Sequence, residues 1–161
     1  MDTTKLVQLA AIEQFLYYEA RLMDDQAYDE WLSLWTDDGI YFVPCNEEDI
    51  DPKRHVTIIY ETRDKLEDRV FQLKSNVHWA QEPRSKLYRV VSNVELENVV
   101  DGEYQVRSNF LLTEVRRNEQ MVLGGRALHK LRPNGDSFKI AYKKVLLVNI
   151  DAIMRSVRFL V

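Results

Sequence analysis

Between Phe15 and Pro44 the spacing of apolar positions changes from a helical to a strand period. Tyr28, Trp31, Leu32 and Trp35 recur at i, i+3, i+4 and i+7, which lines up one stripe of a helix. The pattern predicts a short second helix over 26–35 with all four side chains on its buried face. Thr36, Asp37, Asp38 and Gly39 follow as a cluster of turn formers. Ile40, Tyr41, Phe42 and Val43 then make a short strand closed by Pro44, which has no N–H to give a ladder. Upstream, a first helix is expected from Thr3 or Thr4, either of which can cap it, to about Leu22. Leu6, Leu9, Ile12, Leu16 and Ala20 fall near one face of it. A β-rich pentad stands at 56–60, and a third helix is expected over 63–74. That helix turns Leu66, Val70 and Leu73 inward, while Asp64, Lys65, Glu67, Asp68 and Arg69 mark a solvated side.

The second half reads as four strands at about 86–100, 104–117, 121–132 and 137–149. Asp101-Gly102 and Asn134-Gly135 suit tight hairpins because both central residues tolerate positive φ, and 118–120 supplies the remaining turn. Strands about twice the usual length must twist and coil, so the sheet should wrap around something. The helices are the available filler. The expected fold is therefore α+β, a cone-shaped, strongly curved, mostly antiparallel sheet around N-terminal helices, in one domain spanning 1–161. Val157, Arg158, Phe159, Leu160 and Val161 are too apolar for a frayed tail and should dock.

Composition removes several function classes. Twenty-two basic residues against twenty-six acidic ones give a net charge of −4 and no readable basic face, so a nucleic-acid partner is not expected. No run approaches the length of a membrane span, and Gln8, Glu13 and Gln14 interrupt any leader core, so the chain reads as cytoplasmic and not membrane-bound. Cys45 is the single cysteine and rules out an intrachain disulfide. A Rieske cluster needs two Cys and two His, and a mononuclear iron site needs two His and a carboxylate. His55, His78 and His129 fall on different expected elements, so no metal or cofactor is expected in this chain. The adjacent Gly124 and Gly125 read as a bulge or a close backbone approach.

Two kinds of site remain. An acid–base pocket would draw on Tyr17, Asp38, His78 and His129, each of which also has an ordinary structural reading. An assembly surface would draw on Trp79, Glu82 and Arg84 at the approach to the first long strand, and on Arg107 and Asn109. The last two alternate with Val106 and Ser108 and so should face outward, where a solvated face serves as well as an interface.

The order of short motifs adds a resemblance. Leu66-Glu67-Asp68-Arg69-Val70 is followed by Trp79, Ala80, Pro83, Ser85, Arg89 and Val91-Ser92-Asn93-Val94. Val106-Arg107-Ser108-Asn109-Phe110 and Lys144-Val145-Leu146-Leu147 complete the series. Over about 13–160 this resembles the small (beta) subunits of bacterial aromatic-ring-hydroxylating dioxygenases. They are a branch of the cone fold shared with nuclear transport factor 2 and ketosteroid isomerase. The resemblance implies a structural subunit of a multicomponent Rieske non-heme iron enzyme, with a homotrimer of beta inside an α3β3 hexamer. The [2Fe–2S] cluster and Fe(II) would lie in a catalytic alpha subunit, fed by electron-transfer components from NAD(P)H. His78 ahead of Trp79 and the acidic stretch Glu47, Glu48, Asp49 and Asp51 depart from the pattern. That stretch and Asp68-Arg69-Val70-Phe71 lean toward enzymes of aromatic carboxylates such as benzoate. A stand-alone cone-fold isomerase, cyclase or dehydratase is the second reading, and a non-catalytic binding domain the third.

Overall fold

Helix α1 (Thr3–Asp24) begins on Asp2, whose carboxylate accepts the Thr4 N–H at 3.3 Å. The cap thus sits just ahead of the expected threonines. This computed structural model describes residues 2–45, 51–54, 57–79, 84–148 and 159–161, with the side chains of 76–79 left aside. The opening turns of α1 stand off the body, with Leu6 exposed, while Ile12, Phe15, Leu16, Ala20, Leu22 and Met23 are buried. Gln26, in the left-handed region at φ 55°, turns the chain into α2 (Tyr28–Ser33).

Helix α2 is shorter than the aromatic spacing predicts. Trp35 opens strand β1 (Trp35–Pro44), and residues 36–39 lie within that strand instead of forming a turn before it. The helix ends because the Ile140 N–H takes the Leu34 carbonyl at 2.7 Å and Trp35 pairs with Ile140 in the sheet. Burial of the stripe survives the change of element. Tyr28, Trp31 and Trp35 are buried, and Trp31, Trp35 and Tyr41 pack edge to face with ring centroids 5.3–6.1 Å apart.

The remaining elements are β2 (Thr57–Thr62), α3 (Arg63–Trp79), β3 (Lys86–Val100), β4 (Glu103–Arg116), β5 (Glu119–Asn134) and β6 (Ser137–Leu147). They form one curved, unclosed sheet in the order β2-β1-β6-β5-β4-β3. The last four strands are the expected meander, and β1 lies parallel to β6 while every other pair is antiparallel. Asp101 and Gly102 take the positive φ of a tight hairpin, 52° and 80°. The next turn falls on Arg117 and Asn118, at 50° and 63°, so β5 starts at Glu119, which the sequence reading had left in the turn. Helix α3 buries Leu66, Val70 and Leu73, as its spacing predicts.

Two details shape the sheet. A methyl group on Gly125 would lie 2.7 Å from Phe110 Cζ and 2.8 Å from the Leu146 carbonyl, so strand and ring meet closely there. On the edge strand β3 the Arg89 N–H donates to Asp24 Oδ2 at 2.8 Å, and just before the strand the Ser85 carbonyl accepts from Gln26 Nε2 at 3.1 Å. Farther along β3 the register slips between Ser92 and Glu95, with Asn93 at φ 52°.

Candidate functional site

The inner surface of the cone carries an ionic cluster that helix periodicity and strand alternation place together. Glu19 occupies an apolar phase of α1, between Ile12, Phe15 and Leu16 on one side and Leu22 and Met23 on the other. Lys143 occupies an inward phase of β6, flanked by Ala141 and Val145, and His129 shares the inner face of β5 with Ala127 and Leu131. Glu19 Oε1 accepts from Lys143 Nζ at 2.7 Å and from Trp31 Nε1 at 3.4 Å, while Oε2 meets His129 Nε2 at 3.0 Å. Lys143 also donates to Met23 Sδ at 3.6 Å. Burial alone would push the Glu19 carboxyl up, but Lys143 and His129 outweigh it and hold it well below the usual carboxylate range. Burial pulls the Lys143 ammonium down, and Glu19 opposes that pull. Beside this cluster, the Arg89 guanidinium is clamped on Asp24.

The space these groups enclose is small. A cavity of about 20 Å³ lies among Glu19, Met23, Arg89, Phe110, His129 and Lys143. That volume holds one water, whereas pockets for drug-sized ligands run to roughly 300–1,000 Å³. Two buried nitrogens on its wall, His129 Nδ1 and Arg89 Nε, have no partner among the described atoms.

Tyr17, Asp38 and His129, the acid–base candidates whose side chains are described, are not brought together. Tyr17 is 41% exposed on the outside of α1. Asp38 is exposed on β1, where Arg132 Nη1 and Nη2 bind it at 2.7 and 2.9 Å, and that hydrogen bonding lowers its carboxyl to about 2. Neither lines the cavity. The His78 side chain lies outside the described residues, and so does His55. Of the candidates whose side chains are described, His129 faces the interior, and its neighbours Glu19 and Lys143 were not singled out from the sequence. A signal for both existed: each is a charged residue in a position whose neighbours at helical or alternating spacing are all apolar. Among the described residues, no group of three or more His, Cys, Asp or Glu is placed to hold a metal ion.

The convex face of the sheet has the opposite character. Tyr88 sits beside Thr113 and Thr113 beside Val122, and one row along Val90 sits beside Leu111 and Leu111 beside Gly124. Val148 joins them through its N–H to the Gly124 carbonyl at 2.9 Å. Tyr88, Val90, Leu111, Val122 and Val148 are all more than half exposed, and Val148 reaches 78%. Large contiguous apolar patches are uncommon on monomer surfaces. Of the expected assembly residues, Arg107 is outward and engaged by Glu95 at 2.7 Å and Glu97 at 3.3 Å. Asn109 is half-buried between Ser92 and Arg126, next to the apolar band. Arg84 is exposed near Tyr28, whose phenol burial pushes up against the pull of that guanidinium. Glu82 and the Trp79 side chain lie outside the described residues.

Comparison with known proteins identifies a family. Residues 18–153 match the family described as the ring hydroxylating beta subunit. The small subunit of 2-halobenzoate 1,2-dioxygenase from Burkholderia cepacia is 32% identical over 140 residues, covering 84% of this chain and 85% of that protein. The beta subunit of benzoate 1,2-dioxygenase from Acinetobacter baylyi is 30% identical over 157 residues, covering 92% and 93%. The crystal structure of the benzoate 1,2-dioxygenase beta subunit from Burkholderia mallei superposes with a TM-score of 0.75 at 32% identity, covering 86% of this chain and 89% of that one. No helix among the described residues is long and apolar enough to cross a membrane. This chain belongs to the family of ring-hydroxylating dioxygenase beta subunits.

Proposed function

We propose that this chain is the non-catalytic beta subunit of a multicomponent Rieske non-heme iron dioxygenase that opens the breakdown of an aromatic acid. The observation that carries this reading is the contrast between a cone whose ionic cluster encloses only a water-sized space and an outer face that leaves five large apolar side chains in solvent. The inner carboxylate and ammonium neutralise each other, which supports a structural role for the pair. A catalytic alpha subunit would hold the [2Fe–2S] cluster and Fe(II), supplying electron transfer and oxygen activation. This chain would trimerise within an α3β3 hexamer and give alpha a rigid seat. The halobenzoate and benzoate enzymes among its relatives support an aromatic carboxylate as the substrate of the complex.

The seat on alpha would centre on Leu111 and Val122, with Asn109 and Arg107 at its polar rim and Trp79, Glu82 and Arg84 as a second contact. Co-expression with the large subunit of its own complex tests this. Leu111→Asp together with Val122→Asp should release the large subunit on size exclusion while the small subunit stays folded. Benzoate hydroxylation by the reconstituted complex, supplied with reductase and NADH, should fall in step with the loss of assembly. A complex of unchanged affinity would move the seat elsewhere. Turnover by the isolated small subunit, abolished by His129→Ala or Asp38→Asn, would instead favour the isomerase-like reading.

A further inference from the structure

Residues 159–161 lie against the cone as a bound peptide would. Phe159, Leu160 and Val161 are all buried, yet the three belong to no helix or strand. Side chains hold their backbone. The Tyr41 hydroxyl donates to the Val161 carbonyl at 2.7 Å, and the same oxygen lies 3.3 Å from the Val161 N–H, positioned to accept it. Arg89 Nη2 donates to the Leu160 carbonyl. Tyr41 belongs to β1 and Arg89 to β3, strands near opposite margins of an open sheet. The segment therefore spans the gap that the curled sheet leaves unclosed, and Val161 completes the wall of the inner cavity.

We infer that the cleft between Tyr41 and Arg89 is a binding site for a short apolar peptide, which this chain fills with its own residues 159–161. Recognition divides as in other peptide clefts, with backbone groups fixing register and buried side chains supplying the driving force. Tyr41 is fully buried, and both its described hydrogen bonds are to Val161. Without the segment the phenol would be left unsatisfied beside an apolar groove, the condition that favours a replacement ligand. Emptying and refilling the cleft leaves the six strands paired, because no ladder hydrogen bond involves these residues.

The test uses a chain ending at Arg158 and, as probe, the peptide Val-Arg-Phe-Leu-Val, which repeats 157–161. Added peptide should raise the melting temperature of the short chain saturably, and Tyr41→Phe in that chain should weaken binding roughly tenfold, the loss of one buried hydrogen bond. A peptide of the same composition in scrambled order should bind far more weakly. Equal binding of both peptides, or none to a folded short chain, overturns the inference. Amide exchange in the full chain decides the matter if the short chain does not fold. The Val161 N–H should exchange through an opening that leaves the Leu131 and Val145 amides protected, and Tyr41→Phe should speed Val161 alone. Exchange of Val161 only together with Leu131, in global unfolding, would show that the segment is an inseparable part of the core.

Discussion

The inside of the cone and the outside of its sheet exchange their usual chemistry. Inside, Glu19, His129 and Lys143 are nearly inaccessible. Outside, Tyr88, Val90, Leu111, Val122 and Val148 face solvent. Both faces come from the same strands, since alternate residues of β4 and β5 supply one and then the other. In the inner set the Glu19 carboxylate is shared among an ammonium, an imidazole and an indole, while His129 Nδ1 and Arg89 Nε have no partner among the described atoms. Among the described residues, no element covers the outer set. The exposed apolar area lies on the convex face.

The comparison breaks first if the inner cluster proves dispensable. Lys143→Ala leaves Glu19 buried without its cation, and uncompensated buried charges cost about 3–5 kcal/mol. Urea unfolding measures this, and a loss under 1 kcal/mol would show that water already reaches the carboxylate. Trp31→Ala should cost about as much through its cavity, because the indole is fully buried against Trp35 and Tyr41.

Gly125 lies at the seam between the two faces. Gly125→Ala forces a methyl into Phe110 and the Leu146 carbonyl and should cost about 1–3 kcal/mol by calorimetry. Acid sharpens the contrast further. Glu19 titrates below its ordinary value of 4.5 in the folded chain, so its contribution is present above pH 4.5 and is lost as pH falls toward the folded value. Glu19→Gln should therefore lower stability at neutral pH and flatten its decline below pH 4.5, read from urea midpoints across pH. A decline of unchanged slope would place the acid response in other carboxylates. The smallest effect on the fold is expected outside. Leu111→Ser with Val122→Ser should change the unfolding free energy of the isolated chain by about 0.5 kcal/mol or less, while binding to the large subunit weakens measurably.

Much of this architecture is legible in the residue pattern, and the failures have physical causes. The long hairpins announce themselves through Asp101-Gly102 and Asn134-Gly135 and through strict alternation. Helix α2 was overextended because Trp35 satisfies two burial rules at once, the next turn of a helix and the first inward position of a strand. The sheet decides, since Ile140 claims the Leu34 carbonyl. That contact joins residues more than a hundred positions apart, which local periodicity does not encode. The same distance hides the partnership of Glu19 and Lys143, although each residue's misplacement in an apolar phase was visible alone. The exposed band was overlooked for a related reason. Alternation shows that Leu111 and Val122 leave the inner face, but their convergence over Gly124 depends on register.

Strand β1 lies between β2, which follows it closely, and β6, which the ribosome makes about a hundred residues later. During synthesis β1 can pair with β2 at once, but its other edge stays unpaired until residues 140–144 emerge. The Glu19 carboxylate waits as long for an ammonium 124 positions away. Contacts so distant in sequence slow folding and prolong the exposure of an open edge. A nascent chain thus keeps the β1 edge open until Ser137–Leu147 is made, and translation pauses upstream of Ser137 should lower its soluble yield more than pauses downstream.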